Sequence, residues 1–506
     1  MKIHSLLSCL VLFSLLFFTG CPPTSQQAPP SSVAVEADSP ASLETLADIL
    51  DTSGTLIIDS SFAEMPVAES VSAVTPEPPV TLGLPVTPAT DPVPVTPAPP
   101  QETPEEQVVR ERAAVLGGSI RKNAEGRIDR VIIANNDLTL ADAKAIGKLT
   151  SLEWIRMAGP SITDEYVEAL SDLPNLKIVD ISNSIITDKS LEMLKTRTGI
   201  HTLELQRNLQ LSDNAIKLFA EFPNLQTLKI LYNGFSSASL YNLDSLKSVR
   251  ILDLRGLPVG DDTLMFLADL ENLEEIRIRS ISVSNEGLAE LAKSPKLKTI
   301  ELQDTSISPG SAESFKEMKS LRSLRIFRGS KFTAEAVEEL GILTNLTTLE
   351  LREVGCNNEA LLALKPLTQL KIVEFSELTV DSATMVEVLK SYPKLESIRI
   401  FAIPVDDTVA SLLATVPTLK SVSLPATAIT DKGLEALSVL SDLTLLDIHG
   451  NEARLTVQGS ASALGNFKNL RRIIMPGTLN TPAVRSAILE GSPRCQIDTK
   501  VYSQGT

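Results

Sequence analysis

The chain has 506 residues, a formal net charge of −17, 43% hydrophobic residues and only 4% aromatic ones. The charge is uneven: residues 22–107 hold thirteen Asp or Glu and no Lys, Arg or His, whereas residues 108–506 carry fifty acids against forty-five bases. An acidic segment joined to a nearly balanced one excludes non-specific nucleic-acid binding, which needs a basic footprint, and an aliphatic, aromatic-poor composition suits a core of many thin layers.

Met1 to His4 is a short basic n-region, and Leu6 to Phe18 is an apolar run of thirteen residues. The run is shorter than the about 20 residues of a comfortable membrane span and matches the h-region of a secretory signal. The next residues, Phe18-Thr19-Gly20-Cys21, resemble a bacterial lipobox, in which a small residue precedes a cysteine that is lipidated and becomes the mature N-terminus; Phe18 departs from the usual Leu. The resemblance implies a lipoprotein signal peptide over residues 1–20 and lipidation at Cys21. It also implies an extracytoplasmic chain anchored by acyl chains to a bacterial membrane, at its periplasmic face or at the cell surface. The other reading is an uncleaved signal anchor with an incidental cysteine, which leaves the bulk of the chain on the same side of the membrane.

Residues 21–107 read as a disordered, acidic, Pro-rich tether: seventeen of the 31 prolines fall between residues 22 and 107, some in runs such as Pro97 to Pro100. Such a composition favours extended, self-repelling chain. Its ends would lie roughly 50 Å apart as a coil and about 270 Å apart when extended. Within it, Ser42 to Leu50 has a cap and helical apolar spacing, which fits a helix that docks a partner or one that forms transiently in a disordered tail.

Residues 108–127 read as an N-terminal cap. Val108 to Leu116 forms a helix ended by Gly117 and Gly118, and Ser119 to Ile128 forms a hairpin turning at Asn123 to Gly126. From residue 128 to 494 one phrase recurs, as in Leu152-Glu153-Trp154-Ile155-Arg156-Met157 and Leu297-Lys298-Thr299-Ile300-Glu301-Leu302. Fifteen copies begin at Ile128, Leu152, Leu176, Ile200, Leu225, Val249, Leu273, Leu297, Leu321, Leu346, Leu370, Leu395, Leu419, Leu443 and Leu470. The steps are 24 or 25 residues except the last, which is 27 and places a longer loop in Asn451 to Gly459. Residues 495–506 supply a closing edge strand and a tail. A fixed period of this length means a stacked solenoid, because one unit cannot bury its own apolar side.

Strand alternation points the first, fourth and sixth positions of each phrase into a core and the third, fifth and seventh to solvent. An inward apolar residue follows, such as Ile162, Ile186 or Val259. Pairs such as Thr163-Asp164 and Thr430-Asp431 then open a helix, the hydroxyl capping free amides and the carboxylate suiting the helix dipole. The pattern resembles the leucine-rich repeat family over about 380 residues. It matches the bacterial Thr-x-Ile-Thr-Asp-x-x-Leu variety, akin to the F-box-associated repeats. That resemblance implies an α/β fold: a right-handed solenoid of about fifteen repeats, shaped as a horseshoe with a concave parallel sheet and convex short helices. The chain departs from the family's asparagine ladder, keeping Asn only at Asn208, Asn233 and Asn451 and placing Pro160, Ser184, Leu257, Ile281, Thr305 and Val354 elsewhere.

The residues carry no zinc spacing, P-loop, Gly-x-Ser-x-Gly or His-Glu-x-x-His, and His201 and His449 stand ten strands apart. No enzyme, cofactor or metal is implied. Cys356 occupies the slot of Ile162 and Val259, so it reads as a small buried hydrophobe. It lies six strands, roughly 29 Å, from Cys495, too far for a disulfide.

Fifth-position charges alternate in sign from Lys229 to Glu350 and include Arg277, Arg325 and Arg399, which fits a ladder that fixes register. The seventh positions add Arg255, Arg279 and Arg352 with Phe327 and Phe401, the composition of interface hot spots. Scattered exposed apolar residues are also ordinary at a surface. Trp154 with Ile132 and Ile178 makes a second apolar patch, expected under the N-terminal cap. The leading expectation is a monomeric, surface-anchored scaffold binding a protein or peptide, or a glycan, through Arg255, Arg277, Arg279, Arg325, Phe327, Arg352, Arg399 and Phe401. The alternative is a structural envelope or spacer protein without a specific ligand.

Overall fold

A computed structural model describes residues 102–500. The signal sequence, Cys21, most of the tether, the Ser42–Leu50 helix and residues 501–506 lie outside the described residues.

The first helix, Pro104–Val115, begins earlier than its apolar spacing suggests, and takes residues 104–107 that the sequence reading placed in the tether. The cause is a capping box. The Thr103 hydroxyl accepts from the Glu106 amide at 3.2 Å, the Glu106 carboxylate accepts from the Thr103 amide at 2.9 Å, and Pro104 pre-sets the first turn. Glu106 is buried and also accepts from the Ile128 amide (3.1 Å) and the Arg127 guanidinium (3.0 Å), which ties the cap to the first repeat.

The expected hairpin follows. Ser119–Lys122 pairs antiparallel with Ile128–Ala134, and Asn123 donates to the Arg127 carbonyl across the turn at 2.9 Å. From there every strand pairs in parallel with the next in chain order, down to the closing strand Gln496–Lys500, giving one seventeen-stranded sheet among the described residues. Short helices separate the strands.

The register keeps equivalent residues side by side, so each phrase position becomes a row across the sheet. The inward rows are fully buried, as Leu152, Ile155 and Met157 illustrate, and they join one continuous apolar core from the cap to Cys495. Cys356 fills its aliphatic slot, and burial pushes its thiol pKa up to about 12. Cys356 and Cys495 are both free thiols.

Two features were not visible in a single repeat. In several repeats an Asp at the start of one helix caps the next repeat's helix. Asp164 accepts from the Thr187 amide (2.9 Å), the Thr187 hydroxyl (2.7 Å) and the Ser190 hydroxyl, while Thr163 makes no cap bond with its own side chain. Asp213 with Ser236, Asp261 with Ser284 and Asp407 with Thr430 repeat the arrangement. Parallel stacking sets helix N-termini side by side, so a carboxylate in one first turn reaches the free amides of its neighbour.

The second feature is the turn at the end of each strand. The eighth phrase position is left-handed at Asn183, Arg207, Tyr232, Asp304, Arg328, Glu353, Glu377, Ala402 and Ala426, with φ between 50° and 56°. Gly256 and Gly450 occupy the same position with φ of 74° and 78°. L-residues enter this region at a cost of roughly 1–2 kcal/mol, so the turn is imposed by the stacking on either side of it.

Candidate interaction surface on the sheet

The fifth positions form a row of ion pairs across the sheet. Arg156 meets Asp180 at 3.3 Å, and Lys229 meets Glu204 at 2.9 Å. Further along, Arg277 lies 2.8 Å from Glu275 and 3.7 Å from Glu301, and Arg325 bridges Glu301 (3.7 Å) and Glu350 (2.9 Å). Arg399 bridges Glu374 (3.6 Å) and Asp447 (3.3 Å). Alternation alone makes this row solvent-facing, yet Asp253, Glu301 and Asp447 are at most 4% exposed. Arg255, Arg277 and Arg325 crowd Asp253 and Glu301, while His449 and, from two strands away, Arg399 hold Asp447.

The seventh row carries the remaining candidates. Arg255 is 13% exposed in its side chain and grips Asp253 (2.8 Å) and Glu301 (3.3 Å). Arg279 pairs with Asp304 and donates to the Tyr232 hydroxyl at 3.2 Å. Arg352 lies 3.1 Å from Glu353 and 3.6 Å from Glu377. Phe327 and Phe401 are half-buried in the same row, and the Arg399 guanidinium stands 5.2 Å from the Phe401 ring centre. The register runs Arg279, Gln303, Phe327, Arg352, Ser376, Phe401 on consecutive strands. All eight candidate residues thus share one face, and the arginines there are neutralised in place by acids.

The sequence reading stopped at the seventh position and missed the eighth. The left-handed turn brings these side chains beside the seventh row. Asp304 sits between Arg279 and Arg328 (2.8 Å), Arg207 stands over the Tyr232 ring at 5.0 Å, and Glu353 and Glu377 flank Arg352. The available signal was a column holding Arg207, Asp304, Arg328, Glu353 and Glu377 where loop residues are expected.

These surroundings move the carboxyl groups in opposite directions. Burial pushes Asp304 up, but Arg328 and Arg279 outweigh it and hold the group below its ordinary range. Burial is likewise outweighed at Asp447, by His449 at 2.6 Å and by Arg399. At Glu350 burial wins, with Glu374 and Glu301 adding to it and Arg325 opposing, and the pKa is raised. Burial and the Glu353 charge raise Glu377. Asp180 is raised to about 7, by burial first and by Glu204, against Arg156 and Lys229.

At the N-terminal end the cap does not account for Trp154. The Arg130 guanidinium, on the adjacent strand, lies 3.6 Å from the ring centre and covers it, because the cap hairpin continues the sheet sideways.

The stacked 24- and 25-residue units, with their parallel sheet and short helices, define an α/β leucine-rich-repeat solenoid. No protein-family model matches the chain, and no curated protein matches it either. Among solved structures, an internalin from Listeria monocytogenes is 22% identical, covering 69% of this chain and 97% of its own, with a TM-score of 0.40. A leucine-rich-repeat protein from Leptospira interrogans is 18% identical, covering 70% of this chain and 91% of its own, with a TM-score of 0.38. A chain of the yeast Rad7–Elc1 complex is 18% identical, covering 74% of this chain and 87% of its own, with a TM-score of 0.45.

Proposed function

We propose that this chain is a membrane-anchored, extracytoplasmic recognition scaffold that binds a protein or peptide on its sheet face. The observation that supports it is the seventh row, where Phe327 and Phe401 stand among arginines on a face otherwise built of charged side chains. Aromatic rings beside arginine concentrate binding energy at interfaces, and a register-fixing ladder has no use for them. Changing Arg279, Phe327, Arg352 and Phe401 together to Ala is expected to weaken a partner captured from envelope extract about 100-fold or more. The measurement is titration calorimetry on the full chain. An unchanged affinity for every captured partner moves the site off this face. Ordered self-association at high copy number, with no captured partner, favours the spacer reading instead.

Anchoring is carried by Phe18-Thr19-Gly20-Cys21. Cys21→Ala is expected to shift the chain from the detergent to the aqueous phase on Triton X-114 partition, since stable attachment requires more than one acyl chain. A parent chain that itself keeps its full precursor mass, with no acyl mass added at Cys21, identifies a signal anchor.

A further inference from the structure

We infer that the part of this face between Phe327 and Phe401 receives a cationic side chain, so that the partner is a protein segment presenting lysine or arginine. The inference rests on the recognition reading above and assigns that site its chemistry. It starts from a break in the charge ladder. Asp253, Arg277, Glu301, Arg325 and Glu350 alternate in register on five successive strands. The next residue in the row is Glu374, directly opposite Glu350. Opposite charges in register stabilise a sheet and like charges destabilise it. A ladder serving register alone therefore places a base at position 374.

The same two repeats carry a second like-charged pair. Glu353 and Glu377 occupy equivalent left-handed positions, and the Arg352 guanidinium approaches both. Across the fifth, seventh and eighth positions of these repeats there are four carboxylates, Glu350, Glu353, Glu374 and Glu377, and one base, Arg352. The flanking guanidiniums do not make up the difference, because Arg325 is shared with Glu301 and Arg399 with Asp447, and Arg328, whose charge also reaches Glu353 and Glu377, is held by Asp304 at 2.8 Å. Burial and mutual repulsion hold the Glu350 and Glu377 carboxyls above their ordinary range, which a bound cation would relieve.

The rings frame this surplus of negative charge. Phe327, Arg352, Ser376 and Phe401 follow one another in a single row, so the two rings are three strands, about 14 Å, apart. Ser376 is the smallest of the four. It is buried, and its hydroxyl donates to Glu374 at 2.9 Å, which leaves the row low between Arg352 and Phe401. An ammonium or guanidinium entering there meets carboxylates below, which best replace its water, beside the Phe401 ring that already holds the Arg399 guanidinium at 5.2 Å. The row's other like-charged pair, Asp180 opposite Glu204, has a base for each acid in Arg156 and Lys229, and from Asp253 to Asp304 the bases Arg255, Arg277, Arg279 and Arg328 match the acids they touch.

The test is to pan a random dodecapeptide phage library against the immobilised full-length chain, then measure the enriched peptides against variants. We expect peptides enriched in Lys or Arg, each losing affinity about tenfold or more for Glu374→Gln/Glu377→Gln. That variant removes like-charge repulsion, so it is expected to unfold no earlier than the parent and its loss of binding is not a loss of fold. Enriched peptides without basic residues that bind through Phe327 and Phe401, as read by Phe327→Ala/Phe401→Ala, overturn the cationic assignment and keep the recognition face. Basic peptides indifferent to both variants place binding elsewhere, such as on the acidic residues 22–107, and overturn the inference. No enrichment over an empty support overturns both readings.

Discussion

Asn208→Ala is expected to cost about 3 kcal/mol of stability, more than a surface change of equal size. Asn208 is fully buried and its amide group joins two repeats. Its Nδ2 donates to the Ile181 carbonyl at 2.8 Å, and its Oδ1 accepts from the Ser184 amide at 3.2 Å and the Ser184 hydroxyl at 2.7 Å. Alanine leaves a backbone carbonyl, a backbone amide and a hydroxyl without partners where water is excluded, and each such group costs about 1–3 kcal/mol. Asn233 continues the chain of bonds, accepting from the Asn208 amide at 2.8 Å and donating to the Leu205 carbonyl at 2.9 Å. Urea unfolding of the full chain measures the effect. A loss below about 1 kcal/mol means that water enters and satisfies these groups.

The second large effect is set by pH. Asp180 is 7% exposed on the sheet, and its folded pKa of about 7 stands well above the roughly 3.9 of an unfolded chain. The folded state therefore binds a proton that the unfolded state releases between about pH 4 and 7, and stability falls as pH rises through that window. Above the folded pKa the buried carboxylate costs about 2–4 kcal/mol. Asp180→Asn keeps the shape and removes the charge. It is expected to stabilise the chain by about 2 kcal/mol at pH 8, allowing for the lost attraction to Arg156, and to make little difference below about pH 4. Urea midpoints from pH 4 to 8 test this. A variant less stable than the parent at every pH shows that the Arg156 pair outweighs the burial of the charge.

How far this structure was legible depends on whether a feature lives inside one repeat or between two. The inward rows, the Cys356 slot and the cap hairpin follow from periodicity and turn chemistry, which are local. The cap helix start was also local, but the Thr103 and Glu106 box stood beside prolines and acids whose composition reads as linker. The Asp164 bonds to the next repeat, the left-handed eighth position and the arginines shared between carboxylates depend on what stacks alongside. No window of one strand and one helix contains them. For the candidate site, alternation placed Phe327 and Phe401 on the right face but overstated the freedom of Arg255 and Arg279, because it describes direction and not what a long side chain reaches.

The forward reach of the helix-opening carboxylates gives the molecule a polarity that its repeating outline conceals. Six units receive a carboxylate acceptor for their own helix from the unit before them. A chain shortened from its C-terminal end leaves one carboxylate turned to water, where it is well solvated. A chain shortened within the array from its N-terminal end instead leaves a helix whose amides and hydroxyl have lost their acceptor. The first repeat's helix meets this need from within: its own Asp142 accepts from the Thr139 amide at 2.9 Å and the Thr139 hydroxyl at 2.8 Å, and Arg112 of the Pro104–Val115 helix pairs with that carboxylate at 2.8 Å. By these bonds, removing a unit from the N-terminal side takes a helix cap from its neighbour, which removing one from the C-terminal side does not.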